Sequence, residues 1–233
     1  MRQTLSLERS RTVTGLVLVA LLSFLGGMSD AIGFILGGNF LSFMSGNTTR
    51  LAIAVGEGRG IDVLQVAAIL TVFVAGNAAG VMLAAAVGYR LWPLLLGVSI
   101  LIGLSALADG GMVASVPVLL PVVLAMGVMN AAVEGVAGHP VGLTYVTGAL
   151  SRFGKGLGRW LTGEPRTAFL IQLIPWGGMF AGAVTGTLLQ LAEPVPALWA
   201  AAALAALLVL FTALLPLHWQ RSYLGAEHRL KRR

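Results

Sequence analysis

The sequence predicts an all-α integral membrane protein made of two tandem structural repeats, and three observations predict it. Of the 233 residues, 57% are hydrophobic and 10% are charged, with a mean hydropathy of +0.90. A soluble domain carries about 25% charged residues, so this chain has too few polar groups to cover itself in water. Apolar runs long enough to cross a bilayer, roughly 20 residues, recur along it. Finally, the stretch Ser42-Phe43-Met44-Ser45-Gly46-Asn47-Thr48-Thr49-Arg50 returns as Thr144-Tyr145-Val146-Thr147-Gly148-Ala149-Leu150-Ser151-Arg152, 102 positions later. Both copies read hydroxyl, aromatic, apolar, hydroxyl, Gly, two differing residues, hydroxyl, Arg.

Residues 1–12, with Arg2, Glu8, Arg9 and Arg11, read as a basic cytoplasmic arm. Val13 to Leu36 is a full span, too long for the 7–15-residue apolar core of a cleavable signal peptide. It carries Asp30 beyond its midpoint. Gly37-Gly38-Asn39 breaks the helix, Phe40 to Met44 reads as extended, and Ser45 is the expected N-cap of a short helix to about Val55. A polar turn at 56–62 precedes the span Val63 to Gly88, which holds the close-packing motif Gly76-Asn77-Ala78-Ala79-Gly80. Tyr89-Arg90-Leu91-Trp92-Pro93 has the aromatic and basic character of an interface. Leu94 to Ala108 is a shorter span, closed by Asp109-Gly110-Gly111.

The order then restarts. Val116 to Val136 is a span with Asn130 and Glu134, broken at Gly138-His139-Pro140. Thr147 is the expected cap of a second short helix to about Leu161, with a basic far end at Arg152, Lys155 and Arg159. Thr167 to Leu191 carries Gly178 and Gly182, which follow Gly76 and Gly80 by 102 positions. Ala197 to Leu217 is the last span. Gly27-Met28-Ser29-Asp30-Ala31 corresponds to Gly127-Val128-Met129-Asn130-Ala131 at a separation of 100. The expected division is therefore a first repeat at 13–111, a second at 112–217 and a frayed basic cytoplasmic tail at 218–233. Each repeat has a full helix, a broken segment with a half-helix, and two further helices, giving six full spans and two broken ones.

Two topologies fit. If each broken segment crosses the membrane, the repeats are parallel and Arg90 alone leaves the basic side. If each re-enters, the repeats are inverted, Arg50 and Arg59 lie outside and Arg90 inside. Both put the N- and C-termini in the cytoplasm by the bias of Lys and Arg toward that face. The net charge of +6 belongs to span ends rather than to one face, so a nucleic-acid partner is not expected. There is no cysteine, and hence no thiol chemistry.

A helix start leaves N–H groups unpaired and carries partial positive charge, which in lipid calls for a partner. Two such starts facing each other near the midplane form a site for a small anionic or polar solute. Ser45, Gly46, Asn47, Thr147, Gly148 and Asn130 are the expected lining, with Asp30 and Arg50 as the coupling or counter-charge residues. The expected function is secondary transport without cofactor or metal; a channel through the same site and a non-transporting scaffold or subunit are the alternatives. An intramembrane serine hydrolase built on Ser45 and His139 is not favoured, since Phe43 stands where the rhomboid pattern has Gly.

Phe43-Met44-Ser45-Gly46-Asn47-Thr48-Thr49-Arg50, preceded by Gly27-Met28-Ser29-Asp30-Ala31-Ile32-Gly33-Phe34, resembles the YoaK family of bacterial membrane proteins, a domain of unknown function. The resemblance implies a multi-pass protein of the bacterial inner membrane and supplies no substrate. The extended-then-half-helix motif is more loosely similar to the sulfate permease and nucleobase–ascorbate transporter superfamily, whose half-helices face each other across the substrate. Those proteins have more segments per repeat, which suggests a homodimer as the substitute for the missing panel.

Overall fold

The computed structural model describes residues 2–108, 115–132, 135–136, 139–140, 145–164, 167–192 and 197–226. Glu134, Thr144 and the expected breaks at 109–111 and 193–196 lie outside them. Helix α1 runs Arg2–Gly37. The expected basic arm is thus its first turns, because Arg, Gln, Leu and Glu there are good helix formers. After six intervening residues comes α2, Met44–Gly56, and then α3, Gly60–Ala86. Helix α4, Leu91–Ala108, begins three residues before the expected start.

Helix α5, Val116–Asn130, stops short of the expected Val136. Residues Gly135–Val136 (β1) instead pair antiparallel with His139–Pro140 (β2), Gly and Pro being the residues least suited to prolong a helix. Helix α6 is Val146–Leu161. A 3-10 turn, Ala168–Gln172, leads into α7, Leu173–Leu191. Helix α8 is Ala197–Ala213.

Six full spans were expected; among the described residues, four stretches are long and apolar enough to cross a membrane: Leu7–Gly37, Gly60–Ala86, Leu91–Ala108 and Ala168–Leu191. Helices α5 and α8, at 15 and 17 residues, are apolar but shorter. Their lengths of roughly 23 and 26 Å fall below the hydrocarbon thickness of about 30 Å.

Packing follows the small residues. Helix α7 lies along α1, where a methyl on Gly178 would meet the Ala20 carbonyl at 2.5 Å and one on Gly186 the Met28 carbonyl at 2.6 Å, while one on Gly182 would overlap that of Phe24. Position advances together on both helices, so α1 and α7 run parallel. Helix α3 meets α5 in the same way: Gly76 lies on Leu124 and Gly127, and Gly80 on Val128 and Ala131, again parallel. Helices α4 and α8 form the third pair. Ser99 donates its hydroxyl proton to the Ala202 carbonyl at 3.0 Å, while the start of α4 lies beyond the end of α8, so these two are antiparallel. The core sits among α1, α4, α5 and α8, with Leu18, Leu22, Leu95, Val98, Val122 and Ala201 fully buried.

The tail expected to fray contains a further helix, α9, Leu217–Tyr223. Its Gln220 is buried. The Gln220 Oε1 accepts the Leu91 N–H, the first of α4, at 2.7 Å, and its Nε2 donates to the Leu215 carbonyl at 2.8 Å. Tyr223 donates its hydroxyl proton to the Arg11 carbonyl at 2.6 Å. The start of α1, the start of α4 and the end of α8 therefore share one end of the bundle.

Candidate functional site at the starts of the two short helices

The break before α2 folds back onto α1. Asp30, buried on α1, receives it: Oδ1 accepts the Leu41 N–H at 2.7 Å, the Ser42 N–H at 2.6 Å and the Phe43 N–H at 3.4 Å. Its Oδ2 accepts the Ser42 hydroxyl proton at 2.7 Å. Asn47, fully buried one turn into α2, closes the other side. Its Nδ2 donates to the Phe40 carbonyl at 2.7 Å and its Oδ1 accepts the Phe40 N–H at 3.2 Å. The amides of residues 40–43, just ahead of α2, are thus taken by the chain's own carboxylate and carboxamide.

The expected capping residues do not cap. Helix α2 begins at Met44 with Phe43 at the N-cap, and α6 begins at Val146 with Tyr145 there; neither has a side-chain capping bond. Ser45 and Thr147 are exposed. Thr48 and Thr49 donate instead to the Met44 and Ser45 carbonyls within the helix.

A cavity of about 460 Å³ lies between α1, the break and α7. Phe43, which precedes α2, and Val146, which opens α6, both line it, so the two short-helix starts do meet on one space. Its walls are mostly apolar, with Phe34, Phe40 and Met179 prominent, and Asp30 and Thr187 are the polar contributors.

Of the residues singled out from sequence, Asp30 lines this cavity. Gly46 is covered by the Phe43 ring, 2.7 Å from where a methyl would sit. Gly148 faces Tyr145 and Arg152 at 3.2 and 3.3 Å by the same measure. Asn130 donates to the Asn77 Oδ1 across the α3–α5 seam at 3.4 Å. Arg50 does not pair with Asp30; it turns to a second, smaller cavity beside α3. Sequence reasoning missed Ala183 and Thr187, which line the wall from α7; their four-residue spacing within a Gly-rich helix is the one local signal they give. Among the described residues, no cluster of His, Asp and Glu could hold a metal ion.

The family described as "Protein of unknown function (DUF1275)" matches residues 18–211. The chain is also 46% identical over 223 residues to the "UPF0700 transmembrane protein RA0705" of Rhizobium meliloti (strain 1021), covering 95% of this chain and 96% of that protein. No solved structure matches. The resemblance to a bacterial membrane family agrees with these findings, whereas the looser likeness to the sulfate permease superfamily gains nothing from them. The apolar helices and the transmembrane relative together make this a membrane protein, and it belongs to the DUF1275 family.

Proposed function

We propose that the chain is a secondary transporter of two inverted repeats, with its solute held in the cavity where α2 and α6 begin. The directions of the helices support the inversion. The end of α3 adjoins the start of α4 and so shares the end of the bundle occupied by the start of α1 and by α9. Helix α7 starts at that end because it parallels α1, and α5 finishes there because it parallels α3. The short helices then leave and return on opposite faces: α2 at the far end, α6 at the near end. Each first helix packs on the third helix of the other half, α1 on α7 and α5 on α3, as a two-fold axis in the membrane plane requires. Arg9, Arg11, Arg90 and Arg221 fall on the near end, which the charge bias makes the cytoplasmic face of the inner membrane.

The observation that carries the transport reading is one cavity bounded by both short-helix starts and by a single acid at membrane depth. Ionisable groups there mark solute and ion pathways more often than they mark packing. Of the small anionic or polar solutes expected from sequence, the apolar walls and the carboxylate fit the polar kind better, a solute with an apolar body and one polar or positive group. The test is uptake into proteoliposomes from a panel of small amines, neutral amphiphiles and inorganic anions. One of the first two classes is expected to accumulate, and Ala183→Trp, which fills the cavity from α7, is expected to abolish that uptake with the melting temperature kept. Uptake that is indifferent to Ala183→Trp, or absent for the whole panel, overturns the reading.

The scaffold reading has one observation in its favour. Phe34, Ile35 and Phe180 are exposed around the same region, a face that a lipid tail or another membrane helix would cover.

A further inference from the structure

The second cavity, about 230 Å³, lies between α2 and the start of α3 and is lined by Arg50, Ile53, Ala54, Arg59, Asp62 and Val66. Its charges are unevenly matched. Arg59 binds both nearby acids, Glu57 at 2.6 Å and Asp62 across one turn of α3. Arg50 shares neither of them. Its Nε is buried and has no hydrogen-bond partner among the described residues. A guanidinium is always charged, and a buried donor left unbonded is costly, the more so on a charged group. Such a group in a polar recess calls for an acceptor from outside the chain.

We infer that this cavity binds a small oxyanion, a phosphate or carboxylate group, on the Arg50 guanidinium. The planar fork of Arg presents two parallel N–H donors to paired oxygens, and Nε is one of the donors such a fork uses. Ile53 and Val66 give the site a dry wall, which strengthens the charged hydrogen bonds inside it. The oxyanion comes either from solution or from a lipid headgroup, because the cavity lies at the α2–α3 turn, where the chain reaches the end of the bundle. The site does not depend on the transport reading: a scaffold would carry it equally.

The test is thermal unfolding of the full chain in a zwitterionic detergent. Inorganic phosphate is titrated in one arm and phosphatidylglycerol in mixed micelles in the other, with chloride at matched ionic strength as reference. Stabilisation by phosphate is the result expected for a free oxyanion, and stabilisation by the lipid alone for a headgroup. In either arm Arg50→Gln raises the half-saturating concentration by about tenfold or more, while Arg50→Lys, which keeps charge without the fork, raises it less. Ile53→Trp, at an exposed position on the cavity wall, leaves Arg50 in place and is expected to weaken binding equally. It keeps the inference testable if the Arg50 variants fold poorly. No stabilisation in either arm, or stabilisation unchanged in Arg50→Gln and Ile53→Trp, overturns the site. The Ala183→Trp uptake experiment leaves this result untouched, so the two readings fail separately.

Discussion

The start of α2 and the start of α6 share a sequence pattern, yet the polar side chains at matching positions differ. Ahead of α2, a carboxylate on α1 gathers three backbone amides and a hydroxyl, and Asn47 ties Phe40 at both its N–H and its carbonyl. The position that follows Asp30 by 100 is Asn130, which bonds Asn77 on the neighbouring helix α3. The position that follows Asn47 by 102 is Ala149, fully buried and without a polar group to offer. The first half brings a charge and a carboxamide to these positions, the second a neutral amide and a methyl. Among the described residues lining the cavity between them, the acid is Asp30, on the α1 side.

The comparison breaks first at Asp30. Asp30→Ala orphans the buried Leu41 and Ser42 amides and the Ser42 hydroxyl. At about 1–3 kcal/mol per buried donor, a loss on the order of 4 kcal/mol or more is expected, read as loss of monodisperse protein after extraction. Gly182→Val comes next: its branched side chain meets the Phe24 backbone, which has no room to yield, and overpacking of this kind costs about 3 kcal/mol, measured as a fall in melting temperature. Asn47→Ala strips both bonds from Phe40 and is expected to cost about 2 kcal/mol, with faster proteolysis between α1 and α2. Asn130→Ala removes a neutral amide and its bond to Asn77, of a kind worth about 0.6 kcal/mol in membranes, and is expected to lower the melting temperature less than Asp30→Ala does. Equal losses for Asp30→Ala and Asn130→Ala would show that the charge at the first position carries no extra weight.

Much of this was legible in the sequence for a simple reason: hydropathy and Gly/Pro breaks report directly on which segments can lie in lipid. The small-residue stripes at Gly76–Gly80 and Gly178–Gly182 likewise marked seams that do form. What stayed hidden depended on residues distant in the chain. Ser45 and Thr147 look like N-caps, but the amides ahead of α2 are satisfied by Asp30, 11 to 13 positions earlier, so no local rule points to the true partner. Asn47 reads as a ligand because carboxamides often are; only the fold-back of Phe40 makes it a clamp. Gln220 sat in a basic tail with no apolar run around it, and nothing near it in sequence names Leu91. The apolar nature of the cavity was concealed for the same reason, since its wall joins α1, the break and α7.

The bond between Gln220 and Leu91 spans 129 positions, and this sets an order of manufacture. When α4 first enters the bilayer its leading amide has no acceptor, because the side chain that will satisfy it belongs to a segment not yet translated. The nascent bundle must keep that end hydrated, or borrow a lipid or translocon group, until α9 arrives and swings beneath α1 and α4. The stitch that closes this end of the bundle therefore waits on α9, which is translated after α8.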